Sequence, residues 1–121
     1  WEGEASKIIE LAEKRKIKIL ISEEIINEIV KVIQRELKFK KFIEELDEKI
    51  KDVVRTILSI SSLILIKNKI NIVKEDPSDN IIIETALDGK ADYVITYDKH
   101  LLKINEFGKI KIIQPNEFLN S

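Results

Sequence analysis

The sequence predicts a single α/β domain in which a mostly parallel sheet is covered by helices on both faces. Short apolar runs of strand length alternate with segments whose apolar residues recur every three or four positions. Such alternation is typical of parallel strands connected by helices. The 121 residues suffice for one compact domain and are too few for a second. Only three residues are Gly and two are Pro, which excludes disordered and low-complexity chains.

The first half of the chain predicts three helices and one strand. Apolar residues at helical spacing indicate a helix from Glu4 to Lys16, and a short buried strand follows from Ile17 to Ile21. Ser22 is a good N-cap, because its hydroxyl accepts a hydrogen bond from the first turn of a helix. We expect that helix to reach about Leu37 and to bury Ile25, Ile26, Ile29, Val30 and Ile33. After a basic stretch at Lys38, Lys40 and Lys41, a long core-facing helix runs from about Phe42 to Ser61.

The second half predicts shorter elements. Residues Leu63 to Val73 are strand-like, and Asp76 then caps a helix that has Pro77 in its first position. This helix runs through Leu87 and is closed by Gly89. The remaining elements are a strand at Tyr93–Thr96, one or two helical turns at Lys99–Ile104, a strand at Ile110–Ile113 and a terminal helix from Pro115.

Composition excludes several classes of function. The 21 Lys and Arg nearly balance the 22 Asp and Glu, so no bulk basic field attracts nucleic acid or a membrane, and such a partner must be bound locally. The absence of Cys excludes disulfides, thiolate catalysis and zinc–thiolate sites, and a single His excludes a His-rich metal site. No apolar run approaches the roughly 18 residues of a membrane span. The absence of Cys fits a cytoplasmic protein. The abundance of Ile, Lys and Glu is typical of a thermophile and is also produced by AT-rich coding.

Three carboxylates are the candidate functional residues. Asp98 follows the predicted strand at Tyr93–Thr96, at the strand end where open parallel sheets bind ligands. Asp79 shares a helix face with apolar residues, and Glu28 lies at the edge of the apolar stripe of its helix. Simpler interpretations remain open, because Asp98 can act as a helix cap, Asp79 can interact with the helix dipole and Glu28 can lie on a solvated face.

If the three carboxylates converge without a cation, they repel each other and some take up protons, and a bound divalent cation resolves this repulsion. Oxygen ligands without Cys or a His cluster favour Mg²⁺ or Mn²⁺ over Zn²⁺. Such sites activate water and stabilise the charge that develops on a phosphodiester. The residues alone therefore indicate metal-assisted phosphodiester hydrolysis.

Several motifs resemble the PIN domain family, in particular its branch of toxins from toxin–antitoxin systems. The matching segments are Ile21-Ser22-Glu23-Glu24-Ile25-Ile26-Asn27-Glu28-Ile29, Glu75-Asp76-Pro77-Ser78-Asp79-Asn80, Ala91-Asp92-Tyr93-Val94-Ile95-Thr96-Tyr97-Asp98-Lys99-His100-Leu101-Leu102 and Pro115-Asn116-Glu117-Phe118-Leu119. The resemblance implies a three-layer α/β/α fold over residues 1–121 and a metal-dependent endoribonuclease. It implies that Glu28, Asp79 and Asp98 are catalytic and metal-binding residues. Thr96 matches a polar residue that often precedes the last Asp. We expect Ser22 and Asn80 to be supporting residues and Lys99 and His100 to contact phosphate, with a solvated side chain as the simpler interpretation of Lys99.

The same resemblance implies a cognate antitoxin that blocks the pocket, an RNA substrate and a homodimer. The family's first central strand, which ends in an Asp, has no counterpart here. Because the chain begins at Trp1 and contains no Met, we expect that strand to be encoded upstream.

Two other classes of function stay open at this point. A PIN-like module that has lost catalysis and binds RNA or protein is the main alternative to the enzyme. A phosphoacceptor receiver domain is disfavoured, because Gln114-Pro115 stands where that class needs a Lys.

Overall fold

The computed structural model describes residues 3–36, 43–74 and 76–121. Its helices are α1 (Gly3–Glu13), α2 (Glu23–Glu36), α3 (Ile43–Ile60), α4 (Asp79–Asp88), α5 (Lys99–Ile104) and α6 (Pro115–Leu119). Its strands are β1 (Ile19–Ser22), β2 (Ser61–Ile64), β3 (Tyr93–Ile95), β4 (Glu106–Phe107) and β5 (Ile110–Ile113). The predicted Leu37 helix end, the basic stretch at Lys38, Lys40 and Lys41, the helix start at Phe42 and the motif residue Glu75 lie outside the described residues.

The strands pair mainly in parallel, which confirms the predicted α/β class. β1 and β2 pair with Ile19 opposite Ser61, and β3 and β5 pair with Tyr93 opposite Lys111. In the described part of the chain these strands form two short sheets, ordered β1-β2 and β3-β5-β4, rather than one continuous sheet. Helix α4 contacts both β1 and β3 and so connects the two sheets.

The antiparallel strand β4 was not predicted. Its two residues pair with β5 across a turn in which Gly108 has a φ of +59°. A strand of two residues is too short for an alternating pattern to reveal it.

The prediction of a strand from Leu63 to Val73 is wrong beyond Ile64. Only β2 is a strand here, and residues 65–74 have no regular structure. Side chains of α4 bind the backbone of this segment instead. Asp88 Oδ2 accepts from the amides of Lys67 and Asn68 at 2.6 and 3.0 Å. Further along, Glu84 Oε2 accepts from Ile70 N at 2.8 Å, and Asn80 Oδ1 accepts from Ile72 N and Val73 N at 2.9 Å. We call residues 65–73 the strapped segment.

The start of α4 also differs from the prediction. The helix begins at Asp79 with Ser78 as N-cap, two residues later than expected. Asp76 stabilises the preceding turn, because its Oδ1 accepts hydrogen bonds from the backbone N and the hydroxyl of Ser78 at 3.2 and 2.6 Å. The hydrogen bond from Asp79 N to Asp76 O, at 3.0 Å, spans only three residues and continues this tight turn.

Gly89 follows α4 as predicted, but for a packing reason. Its φ of −86° is open to any residue, whereas a Cβ atom there would lie 2.7 Å from Leu20 Cδ1. The left-handed residue after the helix is Lys90, with a φ of 55°. Glycine is therefore needed for the close approach of α4 to β1.

The core lies under the β3-β5-β4 sheet. Its buried residues come from the strapped segment, α4, β3, α5 and β5: Val73, Ile83, Ala86, Val94, Leu101, Ile110 and Ile112. The predicted burial of five apolar residues on α2 is wrong, since Ile25, Ile26, Ile29, Val30 and Ile33 are all only half-buried. This face of α2 borders a groove next to α4.

Candidate metal centre

Asp79 is held in the site by the first turn of α4. Its side chain is only 8% exposed, and its Oδ2 atom is buried with no hydrogen-bond partner among the described residues. A buried carboxylate oxygen without a donor is energetically costly. The Oδ2 atom of Asp79 is therefore shielded from solvent and available to coordinate a cation.

Asp98 is held by the loop that follows β3. Its Oδ1 accepts from the amides of His100 and Leu101 at 2.7 and 3.3 Å, which makes it the N-cap of α5. Its own amide donates to Thr96 Oγ1 at 3.0 Å. The interpretation of Asp98 as a helix cap is thus correct, and the same geometry brings its carboxylate beside Asp79.

His100 completes a three-residue cluster. Its Nδ1 lies 3.8 Å from Asp79 Oδ2 and 3.8 Å from Asp98 Oδ1, and one donor atom from each of the three residues lies within 4.8 Å of the others. Sequence reasoning assigned His100 to phosphate and assumed a ligand set made only of oxygen atoms. The two-residue spacing from Asp98 was the available signal, because a cap residue and the second residue of its helix lie close together.

The electrostatics of the cluster favour a cation. The pKa of Asp79 is raised to about 6, first by burial and then by the nearby carboxylates of Asp98 and Asp76, while His100 acts in the opposite direction. A divalent cation would remove this repulsion and give the buried oxygen a partner. Two carboxylates and an imidazole are suitable donors for such an ion.

Glu28 lies near this cluster but is not a member of it. It lines a groove of about 290 Å³ together with Asp79. The groove runs between α2 and α4, and its other lining residues are Ile25, Ile29, Val32, Ile33, Ser78, Ile81 and Ile82. Glu28 Oε1 accepts a hydrogen bond from Lys31 Nζ at 3.3 Å, in a partly exposed ion pair.

The other predicted site residues have different surroundings. Ser22 caps α2 by accepting from Ile25 N at 3.3 Å, and its hydroxyl shares a buried hydrogen bond of 2.7 Å with Thr85. Asn80 follows Asp79 directly, but its side chain binds the strapped segment. Lys99 is exposed and adjoins Asp98 along the chain.

Comparisons with known proteins add one finding. A family model described as a PIN domain matches residues 2–100, a span that contains Glu28, Asp79, Asp98 and His100. None of the curated proteins and none of the solved structures matches the chain. Among the described helices, none combines the length and the apolar character of a membrane span.

Proposed function

Since the chain belongs to the PIN domain family, whose members are generally nucleases, we propose that it is an endoribonuclease that hydrolyses RNA phosphodiester bonds with a bound Mg²⁺ or Mn²⁺ ion. The observation that carries this proposal is the meeting of Asp79 and Asp98, where a buried carboxylate oxygen of Asp79 has no donor within the described part of the chain. A cluster of this kind is costly in a metal-free protein and suited to a cation.

Each residue has a distinct task in this proposal. Asp79 and Asp98 hold the cation, and the hydrogen bonds from α5 fix the direction of the Asp98 carboxylate. When bound there, a divalent cation lowers the pKa of a coordinated water and stabilises charge on the scissile phosphate. Glu28, across the groove, orients the attacking water or binds a second ion. Lys99, exposed beside Asp98, contacts a substrate phosphate.

A further carboxylate is proposed to come from a strand between β1 and β3. Each of these strands has a hydrogen-bonded neighbour on one side only within the described ranges, and both contact α4. A parallel strand in that position would end at the same edge of the sheet as β3, near Asp98. The codons that precede Trp1 test this idea. An in-frame strand ending in Asp supports it, and a frame without one favours the non-catalytic binding module.

The biological role is proposed to be that of the toxin in a toxin–antitoxin pair. The groove between α2 and α4 leads to Asp79 and is lined mainly by Ile and Val, so it offers an apolar surface to a small antitoxin. Homodimerisation and a cytoplasmic location belong to the same proposal.

The decisive experiment combines metal binding with RNA cleavage. Mn²⁺ is titrated calorimetrically into the wild type and into the double variant Asp79→Asn, Asp98→Asn, and cleavage of a fluorescent RNA is measured on the same samples. We expect the double variant to lose both saturable binding and cleavage. The control is Asp92→Asn, which neutralises an exposed carboxylate outside the cluster and should change neither. Equal cleavage by the wild type and the double variant would contradict the proposal.

A further inference from the structure

We propose that His100 is itself a ligand of the cation and that its imidazole makes the site prefer Mn²⁺ over Mg²⁺. This inference rests on the proposed function, because it needs a divalent cation to be bound between Asp79 and Asp98. It goes further by giving the site a nitrogen donor and therefore a metal preference.

The first argument is the spacing of the donor atoms. At 3.8 Å from each carboxylate oxygen, His100 Nδ1 is too far away for a hydrogen bond to either one. Ligands about 2.1 Å from one ion lie about 3 Å apart when adjacent and about 4.2 Å apart when opposite. The ring is therefore placed as a third ligand would be, beside both carboxylates and bonded to neither.

The second argument is the unpartnered oxygen of Asp79. This oxygen belongs to a side chain that is more than nine-tenths buried, and the imidazole nitrogen is its neighbour in the cluster. A histidine that served only to neutralise Asp79 would donate a hydrogen bond to this atom. A shared cation satisfies the oxygen and the nitrogen together.

The third argument is that the position of His100 is fixed in advance. Its amide donates to Asp98 Oδ1 at 2.7 Å, so one proposed ligand anchors the backbone of another. The next residue, Leu101, is completely buried and fixes the first turn of α5 in the core. The ring itself is 46% exposed, which leaves the site open to ions from solvent.

Metal chemistry then gives the preference. Mg²⁺ strongly prefers oxygen ligands, whereas the affinity of a mixed nitrogen and oxygen site rises along the first-row transition metals from Mn²⁺ onward. Removal of the imidazole should lower the affinity for Mn²⁺ far more than the affinity for Mg²⁺.

The test measures binding and spectra rather than cleavage. Mn²⁺ affinity is measured by titration followed by electron paramagnetic resonance, and Mg²⁺ affinity by competition, for the wild type, His100→Ala and the α5 control Lys103→Ala. We expect His100→Ala to reduce the ratio of Mn²⁺ to Mg²⁺ affinity by at least about tenfold. Loss of a residue that only hydrogen-bonds to a metal ligand already lowers metal affinity by about that factor. Lys103→Ala should keep the wild-type ratio. Pulsed spectra of bound Mn²⁺ should show coupling to a ¹⁴N nucleus in the wild type and none in His100→Ala.

The outcomes separate this inference from the proposed function. Binding that needs Asp79 and Asp98, with an unchanged metal ratio and no nitrogen coupling, would overturn the role of His100 and leave the nuclease proposal in place. Absence of saturable binding in the folded wild type, titrated with the strand proposed to precede Trp1 in place, would overturn both.

Discussion

Replacement of Asp79 by Asn should stabilise the metal-free protein at neutral pH. The carboxylate is buried, and its Oδ2 has no hydrogen-bond partner in the ranges that the structure describes. Its pKa is raised to about 6 by burial and by the carboxylates of Asp98 and Asp76. Asn has nearly the same shape as protonated Asp but carries no charge to be desolvated or repelled. The variant therefore removes the unfavourable charge while keeping the packing.

The magnitude follows from the change in the pKa of Asp79. A rise from the ordinary value of 3.8 to about 6 corresponds, at about 1.4 kcal/mol per pKa unit, to a destabilisation of up to about 3 kcal/mol. Between these pH values the folded state holds a proton that the unfolded state has released. The contribution of Asp79 to the free energy of unfolding therefore falls as the pH rises through this window. Because the side chain is only 8% exposed, solvent screening reduces the effect little.

Urea denaturation between about pH 3.5 and about pH 8 in the presence of EDTA is a suitable assay. This range extends below the ordinary Asp pKa of 3.8 and above the raised pKa of about 6. The quantity compared is the difference in unfolding free energy between Asp79→Asn and the wild type. It should be near zero at the acid end and reach about 1 to 3 kcal/mol in favour of the variant above pH 7. A variant less stable than the wild type at neutral pH, or a difference that does not change with pH, would refute the reasoning.

Three further variants test the structural basis of the site. Asn80→Ala should destabilise the protein by about 2 to 4 kcal/mol in urea denaturation, because two amides of the strapped segment lose their shared acceptor, whereas the exposed Asn71→Ala should have little effect. Gly89→Ala should lower the free energy of unfolding by about 1 to 3 kcal/mol, because its Cβ would meet Leu20 Cδ1, and a neutral result would show that the Leu20 side chain can move aside. Asp98→Ala should lose about 1 kcal/mol of helix capping that Asp98→Asn retains, so equal stability of the two would contradict the capping role seen at α5.

The elements that could be predicted are those with strong local signals. The helix at Lys99–Ile104 and the strand at Ile110–Ile113 have the predicted bounds, because Asp98 is a strong cap and the Ile-rich strand is clearly delimited. The strapped segment could not be predicted, since its apolar residues are typical of a strand. Its hydrogen-bond partners are helix side chains 7 to 21 residues later in the chain. Burial on α2 was overestimated for a related reason. Periodicity shows which face of a helix is apolar but not what covers that face.

The candidate site was partly accessible to sequence reasoning. Asp79 was singled out because it shares a helix face with apolar residues, and Asp98 because it follows a strand. The structure brings the two together. His100 was assigned a different role. The chain has a single His, which excluded a His-rich metal site and gave no reason to consider that residue as one ligand among carboxylates. Its nearness to Asp79, 21 positions earlier in the chain, is a property of the fold.

The strapped segment also has a consequence for sequence variation. Its amides are bound by three side chains at four-residue spacing on one helix, Asn80, Glu84 and Asp88. Evolutionary constraint should therefore be concentrated on these three helix positions, while exposed strap positions such as Lys69 and Asn71 are free to drift. Relatives that share this arrangement should keep Asn80, Glu84 and Asp88 while the sequence of the strapped segment varies.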